Sequence, residues 1–203
     1  MTTPLPNHPG ATGSRVVEWR PGLAGAVLLN VLAVPLLLIG LAGYLVLAAS
    51  HLPRSGVVTF VPLELLGLVL LTLVLTGVLL VAHEGLHGLA MAAFGARPRF
   101  GAMMIAGVAP ALYTTAPGHR FSRAEYLAVT LTPVVAISTL GAAACLTPVG
   151  LVLVLPLAFH LAGCVGDLGA ALRLAREPRG TGCEDLRDGI RFHRPAAWAA
   201  AGE

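Results

Sequence analysis

Four long apolar segments constrain the fold of this chain more than any other feature. They cover residues 23–48, 62–94, 126–146 and 149–172, and each has the roughly 20 mostly apolar residues that a helix needs to cross about 30 Å of hydrocarbon. Only 11% of the residues are charged, whereas soluble domains average about a quarter. The sequence therefore predicts an all-α protein with four transmembrane helices, placed in the lipid bilayer of the cell membrane.

The arginines predict the orientation of these helices. Twelve of the 13 basic residues, all arginines, lie in the N-terminal tail, in the connection between the second and third segments, or in the C-terminal tail. Arg54 alone lies on the other side. Because loops rich in arginine stay in the cytoplasm, both termini are predicted to be cytoplasmic.

The tails complete the predicted domain organisation. Residues 1–22 are predicted to be a flexible cytoplasmic tail, residues 23–172 a four-span membrane domain, and residues 173–203 a cytoplasmic tail. The C-terminal tail could fold back as a short strand or helix, although its last ten residues are predicted to stay solvated. The net charge of +3 is explained by cytoplasmic arginines, so no nucleic-acid partner is expected, and no pattern predicts the oligomeric state.

The connection at 95–125 is not polar throughout. Its stretch RFGAMMIAGVAPALYTT mixes β-branched and aromatic residues with Gly and Pro, which favours two short strands or a re-entrant loop over a helix. Non-helical chain at membrane depth must be covered by protein or line a wet cavity. The fold prediction therefore includes a short β-like or re-entrant loop between the second and third helices, which could bind an extended substrate by strand addition.

The second apolar segment contains the motif HEGLH at residues 83–87. Helical spacing places His83 and His87 on one face, as in metallopeptidases whose two histidines bind zinc beside a general base. In a chain of this composition the pattern arises by chance on the order of 0.01 times. Ionisable residues are costly in an apolar span and are therefore functional candidates. The alternative is a pair of polar side chains that hydrogen-bond between helices.

A zinc site needs a third protein ligand, and Asp167 is the candidate. It is the only acidic residue of the fourth segment, where His160, Cys164 and Asp167 share one helical face. At 1.5 Å per residue, His87 and Asp167 lie about 15 Å and about 9 Å from arginines at the same predicted boundary. Both are thus expected near the cytoplasmic face. The alternative is a carboxylate that caps or pairs helices.

Three other polar residues of the spans have different expected roles. His160 could hydrogen-bond a substrate carbonyl, orient a metal ligand from behind, or be an ordinary interhelical histidine. Cys164 lies among glycines and is expected to pack rather than to bind metal. Glu64 lies about 28 Å from His83 along a continuous helix, which is too far to share a site.

These residues together predict zinc-dependent peptide hydrolysis. Zn²⁺ held by His83, His87 and Asp167 would activate water, and Glu84 would act as the general base and pass the proton to the leaving amine. The predicted depth favours a membrane-anchored peptide or protein as substrate. The alternative is a non-catalytic membrane scaffold or metal-binding protein with a metalloprotease-like fold.

Four stretches resemble a known family. HEGLHGLAMAAFGA, AEYLAVTLTPVVAIS, HLAGCVGDLGAALRL and CEDLRDGIRFHRP, within residues 60–194, resemble the bacterial and archaeal zincin peptidases long known only as a domain of unknown function. That family is similar in turn to the site-2 protease clan of intramembrane zinc metalloproteases. The resemblance implies zinc ligands at His83, His87 and Asp167 and a catalytic acid/base at Glu84.

The sequence departs from the site-2 protease pattern at one place. Those proteases carry an asparagine and a proline ahead of their aspartate, in a pattern like NxxPxxxxDG. Here His160 stands seven residues before Asp167, with no proline between them. The oxyanion-stabilising role of that asparagine is therefore not carried over, although His160 could replace it.

Overall fold

The computed structural model describes residues 15–51, 61–105 and 109–196, and every structural statement concerns these ranges. Its helices are α1 (Leu23–Ala48), α2 (Pro62–Ala93), α3 (Arg123–Cys145), α4 (Gly150–Gly163) and α5 (Val165–Ala175), with a short 3₁₀ turn at Ala49–His51. In this part of the chain α1, α2, α3 and the α4–α5 pair are each long and apolar enough to cross a membrane. The four helical segments predicted from hydropathy are confirmed to within three residues at each end.

Six strands add to the helices. They are β1 (Arg15–Trp19), β2 (Arg99–Ile105), β3 (Ala109–Thr115), β4 (Arg120–Ser122), β5 (Gly182–Leu186) and β6 (Gly189–Arg194). The prediction of an all-α protein is therefore corrected to a mostly helical fold with two small antiparallel sheets. The connection after α2 forms the β2–β3 hairpin, in agreement with the two-strand alternative.

The four-stranded sheet joins segments from both ends of the chain. Its order is β1-β6-β5-β4, and Val17 of β1 pairs with Phe192 of β6. Residues 15–19 were predicted to belong to a flexible tail and instead form β1, because β6 supplies backbone hydrogen-bond partners for them. The C-terminal tail folds back as the β5–β6 hairpin. The predictions for residues 1–14, for Arg54 and for residues 197–203 lie outside the described ranges.

The sheet lies at one end of the helical bundle. Alternate side chains of β5 and β6, including Cys183 and Phe192, are fully buried on its inner face. They pack in one cluster with Met91 near the end of α2, Tyr126 near the start of α3 and Leu174 near the end of α5. The N-terminal segment, the connection after α2 and the C-terminal segment therefore meet at the same end of the bundle.

Local caps define where α2 and α3 begin. The backbone N–H of Val61 donates to Glu64 Oε2 at 3.1 Å, so Glu64 caps the start of α2, far from the HEGLH motif. Ser122 and Glu125 form a reciprocal capping box at the start of α3, with distances of 2.7 and 3.2 Å. This box starts α3 directly after β4, which ties the helix to the sheet.

The helix of the fourth apolar segment is interrupted at a single residue, across which the Leu168 N–H still donates to the Cys164 carbonyl oxygen at 3.0 Å. The chain forms α4 to Gly163 and α5 from Val165, with Cys164 between them. Glycines at 163 and 166 weaken helix propagation on both sides of the break. Asp167 follows this interruption and lies in the first turn of α5.

A close contact joins α1 to α4. Gly40 allows α1 to approach α4 closely, because a Cβ there would lie 3.1 Å from the Ala158 Cα.

A buried carboxylate connects the end of the bundle to the sheet. Glu177 is 2% exposed and accepts hydrogen bonds from Arg194 at 2.7 and 2.8 Å, and it also pairs with Arg173. Burial raises the pKa of the Glu177 carboxyl, but the hydrogen bonds from the two arginines lower it further and hold it below its ordinary value. The stabilisation is therefore present above about pH 4.5 and is lost as the pH falls through the lowered pKa.

Replacing this carboxylate is expected to destabilise the fold. Glu177→Gln leaves two arginines without their buried partner, which costs about 3 kcal/mol. For a chain of this length that corresponds to a melting temperature lower by about 6–12 °C at pH 7. The difference from wild type should shrink below pH 4. The control is Glu18→Gln, since Glu18 pairs with Arg191 on the exposed side of the sheet. Equal melting temperatures for wild type and Glu177→Gln would contradict this role.

Candidate metal centre

The two motif histidines face each other on α2. Their Nε2 atoms lie 3.1 Å apart, as expected for side chains one helical turn apart on one face. His83 is only 9% exposed. The HEGLH motif therefore brings two imidazole nitrogens to one point near the inner end of α2.

Asp167 of α5 reaches the same point from the other side. Its Oδ2 lies 3.1 Å from His83 Nε2, and its Oδ1 lies 3.3 Å from His87 Nε2. The structure thus brings together the three residues that the sequence suggested as metal ligands, although Asp167 lies 80 positions after His87 in the chain.

These three side chains fit a zinc ion. Tetrahedral zinc with bonds of about 2.0–2.1 Å holds neighbouring ligand atoms about 3.3–3.4 Å apart. The observed separations of 3.1, 3.1 and 3.3 Å are close to that spacing. Two imidazoles and one carboxylate also match the donor sets of catalytic zinc sites, which leave one position for water.

Hydrogen bonds hold both imidazoles in the required orientation. His87 Nδ1 donates to the carbonyl oxygen of Val129 at 3.0 Å, so the neutral ring keeps its Nε2 lone pair free. His83 Nδ1 lies 3.1 Å from His160 Nε2, which can accept its proton in the same way. Metal-binding histidines ordinarily donate their second N–H to such partners. Of the roles considered for His160, the geometry favours the orienting role: a hydrogen bond between His83 Nδ1 and His160 Nε2 would fix the orientation of the His83 ring.

A second group of possible ligands lies behind His83. Cys164 Sγ is 3.9 Å from His83 Nδ1 and 3.6 Å from His160 Nε2, and Cys164 is fully buried. This His83–His160–Cys164 group could also hold a metal ion. Both groups need His83, but they use opposite nitrogens of its ring. The group with His87 and Asp167 has all three of its side chains, together with Glu84, in the wall of an open cavity, whereas Cys164 of the second group lines neither cavity at this centre.

Glu84 lies beside the three candidate ligands without belonging to either ligand group. The hydroxyl of Thr114 on β3 donates to Glu84 Oε2 at 2.8 Å and lies 3.0 Å from the Glu84 backbone oxygen. Thr114 therefore orients the carboxylate that the sequence suggested as a general base. Sequence reasoning missed Thr114, because a threonine in a strand shows no periodicity or motif that relates it to a glutamate 30 residues earlier.

A cavity of about 330 Å³ opens in front of this centre. His83, Glu84, His87 and Asp167 form its inner wall, whereas Trp19 and the turn between β5 and β6 form its outer wall. At this turn the Arg187 guanidinium lies 5.1 Å from the centre of the Tyr113 ring, as in a cation–π contact. The four-stranded sheet thus covers the cavity that lies in front of the candidate metal centre.

The family comparison agrees with this geometry. A family model described as "Putative zincin peptidase" matches residues 75–181, which include the HEGLH motif, the β2–β3 hairpin and Asp167. The chain belongs to this family. Membership in the zincin peptidase family supports a metallopeptidase with zinc as its cofactor. No curated protein and no solved structure matches the chain significantly.

Zinc binding by this zincin peptidase family member should depend on Asp167 and not on Cys164. Asp167→Ala is expected to lower the zinc affinity by more than about 100-fold, because loss of a ligand's outer partner alone costs about 10- to 100-fold. Cys164→Ala should leave the affinity nearly unchanged. The measurement is competition with a zinc chelator on the purified full chain. The opposite order of effects would assign the metal to the His83–His160–Cys164 group.

Proposed function

We propose that the chain is an intramembrane zinc metalloprotease that cuts peptide bonds of membrane-anchored substrates near the cytoplasmic face. The observation that carries the proposal is the contact of His83, His87 and Asp167 from two helices. Glu84 lies beside them and is not one of the ligands. The matching family model supports the same class of reaction.

The outer surface of the helices supports a location in the membrane. Large apolar side chains are exposed along α1, α2 and α3, among them Leu32, Leu73 and Leu140, at 45–71% exposure. Contiguous apolar surface of this extent is rare on soluble monomers. The sheet is rich in arginine, so by the positive-inside rule the end of the bundle that carries it would face the cytoplasm, and the proposal puts both termini on that side.

The proposed chemistry uses four residues of this chain. His83, His87 and Asp167 would hold the ion. Bound zinc would lower the pKa of a water molecule towards neutrality and polarise a carbonyl oxygen. Glu84 would take the proton of the attacking water and pass it to the leaving amine as the C–N bond breaks. Thr114 would keep the Glu84 carboxylate turned towards that water.

The β2–β3 hairpin supports binding of the substrate as an extended strand. In the structure β3 pairs with β2 along one edge, and its residues Leu112, Tyr113 and Thr114 line the cavity beside Glu84. A peptide must be extended to present a scissile carbonyl at the metal, and a strand can supply backbone hydrogen bonds to it. A substrate helix would therefore unwind locally before cleavage.

A non-catalytic metal-binding membrane protein is the second candidate function. The His83–His160–Cys164 group favours it, because all three of its side chains are buried, whereas His87 and Asp167 of the other group are partly exposed. This candidate predicts bound metal without any cleavage that depends on Glu84.

One substitution separates the two functions. Glu84→Gln is expected to retain zinc and to lower the cleavage rate by about 100-fold or more, because it removes the general base without removing a ligand. Cleavage of a panel of membrane-anchored peptides in vesicles would be followed by mass spectrometry. The matched control is Glu64→Gln, which changes a glutamate at the other end of α2. Cleavage that persists in Glu84→Gln would refute the proposed mechanism.

A further inference from the structure

A second cavity of about 340 Å³ adjoins the candidate metal centre. It shares with the first cavity the residues His83, Glu84, Leu112, Gly166 and Asp167. The two cavities therefore border the same candidate ligands and the same candidate general base. A side chain held in the second cavity would lie directly beside the metal centre.

The walls of the second cavity differ from those of the first. His160 and the carboxylates of Glu84 and Asp167 lie at its metal end, whereas the remainder is mostly apolar or small, with Leu80 of α2 and Phe159 of α4 as its large side chains and Thr76 as a polar one. Leu80 and Phe159 are 45% and 47% exposed on the outer surface of the bundle. The charged groups that line the second cavity are thus those of the metal centre, and the remaining part of its wall suits an apolar ligand.

Gly163 leaves the second cavity open. A Cβ added to this residue would meet no other atom within 4 Å, and the residue is exposed. The space that a larger side chain would occupy is therefore unfilled. Gly163 is the last residue of α4 and has no left-handed backbone conformation that would require glycine.

We propose that the second cavity binds one apolar side chain of the substrate, from a residue that flanks the cleaved bond, and that Gly163 sets the largest size accepted. The proposal rests on the proposed proteolytic function. Because the second cavity borders the candidate ligands, a side chain that it holds would belong to a residue next to the scissile bond. An apolar side chain matches Leu80 and Phe159, and away from the metal centre the lining offers no charged group to pair with a charged side chain.

The test uses small zinc-binding probes on the zinc-loaded full chain in detergent. Acetohydroxamate reports on the metal alone, and a hydroxamate with a benzyl group on the adjacent carbon reports on the metal and the cavity together. The benzyl compound should bind wild type roughly 10- to 100-fold more tightly, as expected from burial of an aromatic side chain. Gly163→Leu should remove most of this difference, and Gly163→Ala should remove part of it.

Two controls keep the outcome specific. Acetohydroxamate affinity and zinc content should be unchanged in both Gly163 variants. Gly67→Leu, at another open glycine of the apolar helices, should keep the full benzyl difference. The proposal is overturned if the benzyl group adds no affinity in wild type, or if Gly163→Leu retains the difference. Intact probe selectivity without any peptide cleavage would support the cavity and contradict the proteolytic function instead.

Discussion

The arrangement of the helices around the candidate metal centre depends on one constraint, the free-energy cost of burying ionisable side chains among apolar ones. His83, His87 and Asp167 lie on helices whose other residues are mostly apolar, where an isolated charge or unpaired polar atom is strongly destabilising. They offset this cost by meeting one another at 3.1–3.3 Å. The contact between Asp167 of α5 and the two histidines of α2 follows from this requirement, and so does the position of any bound cation.

The remaining architecture positions this cluster and leaves a cavity beside it. Asp167 contacts both histidines of α2 from the first turn of α5, and the carbonyl of Val129 on α3 fixes the ring of His87. The β2–β3 hairpin brings Thr114 to Glu84, while the four-stranded sheet covers the first cavity. Two candidate ligands and the candidate general base thus come from α2, the third ligand comes from α5, and β3 and the four-stranded sheet line the cavity in front of them.

The helices could be predicted from sequence because length and hydropathy act locally. Residues 23–48 were predicted as one helix and form one. The sheet could not be predicted in the same way, since Arg15 pairs with Arg194 and no local pattern shows such a pairing. The meeting of Asp167 with HEGLH was expected from depth alone. The contacts made by His160, Thr114 and Cys164 depend on the helix break and on the hairpin, which depth does not specify.

The zinc coordination shell is the most direct test of the central claim, that the ion is held by His83, His87 and Asp167. X-ray absorption at the zinc edge of the zinc-loaded full chain measures ligand type and distance. The account predicts only nitrogen and oxygen neighbours at about 2.0–2.2 Å, with the signature of two imidazoles. A sulfur neighbour at about 2.3 Å would place the ion at Cys164 and contradict the account.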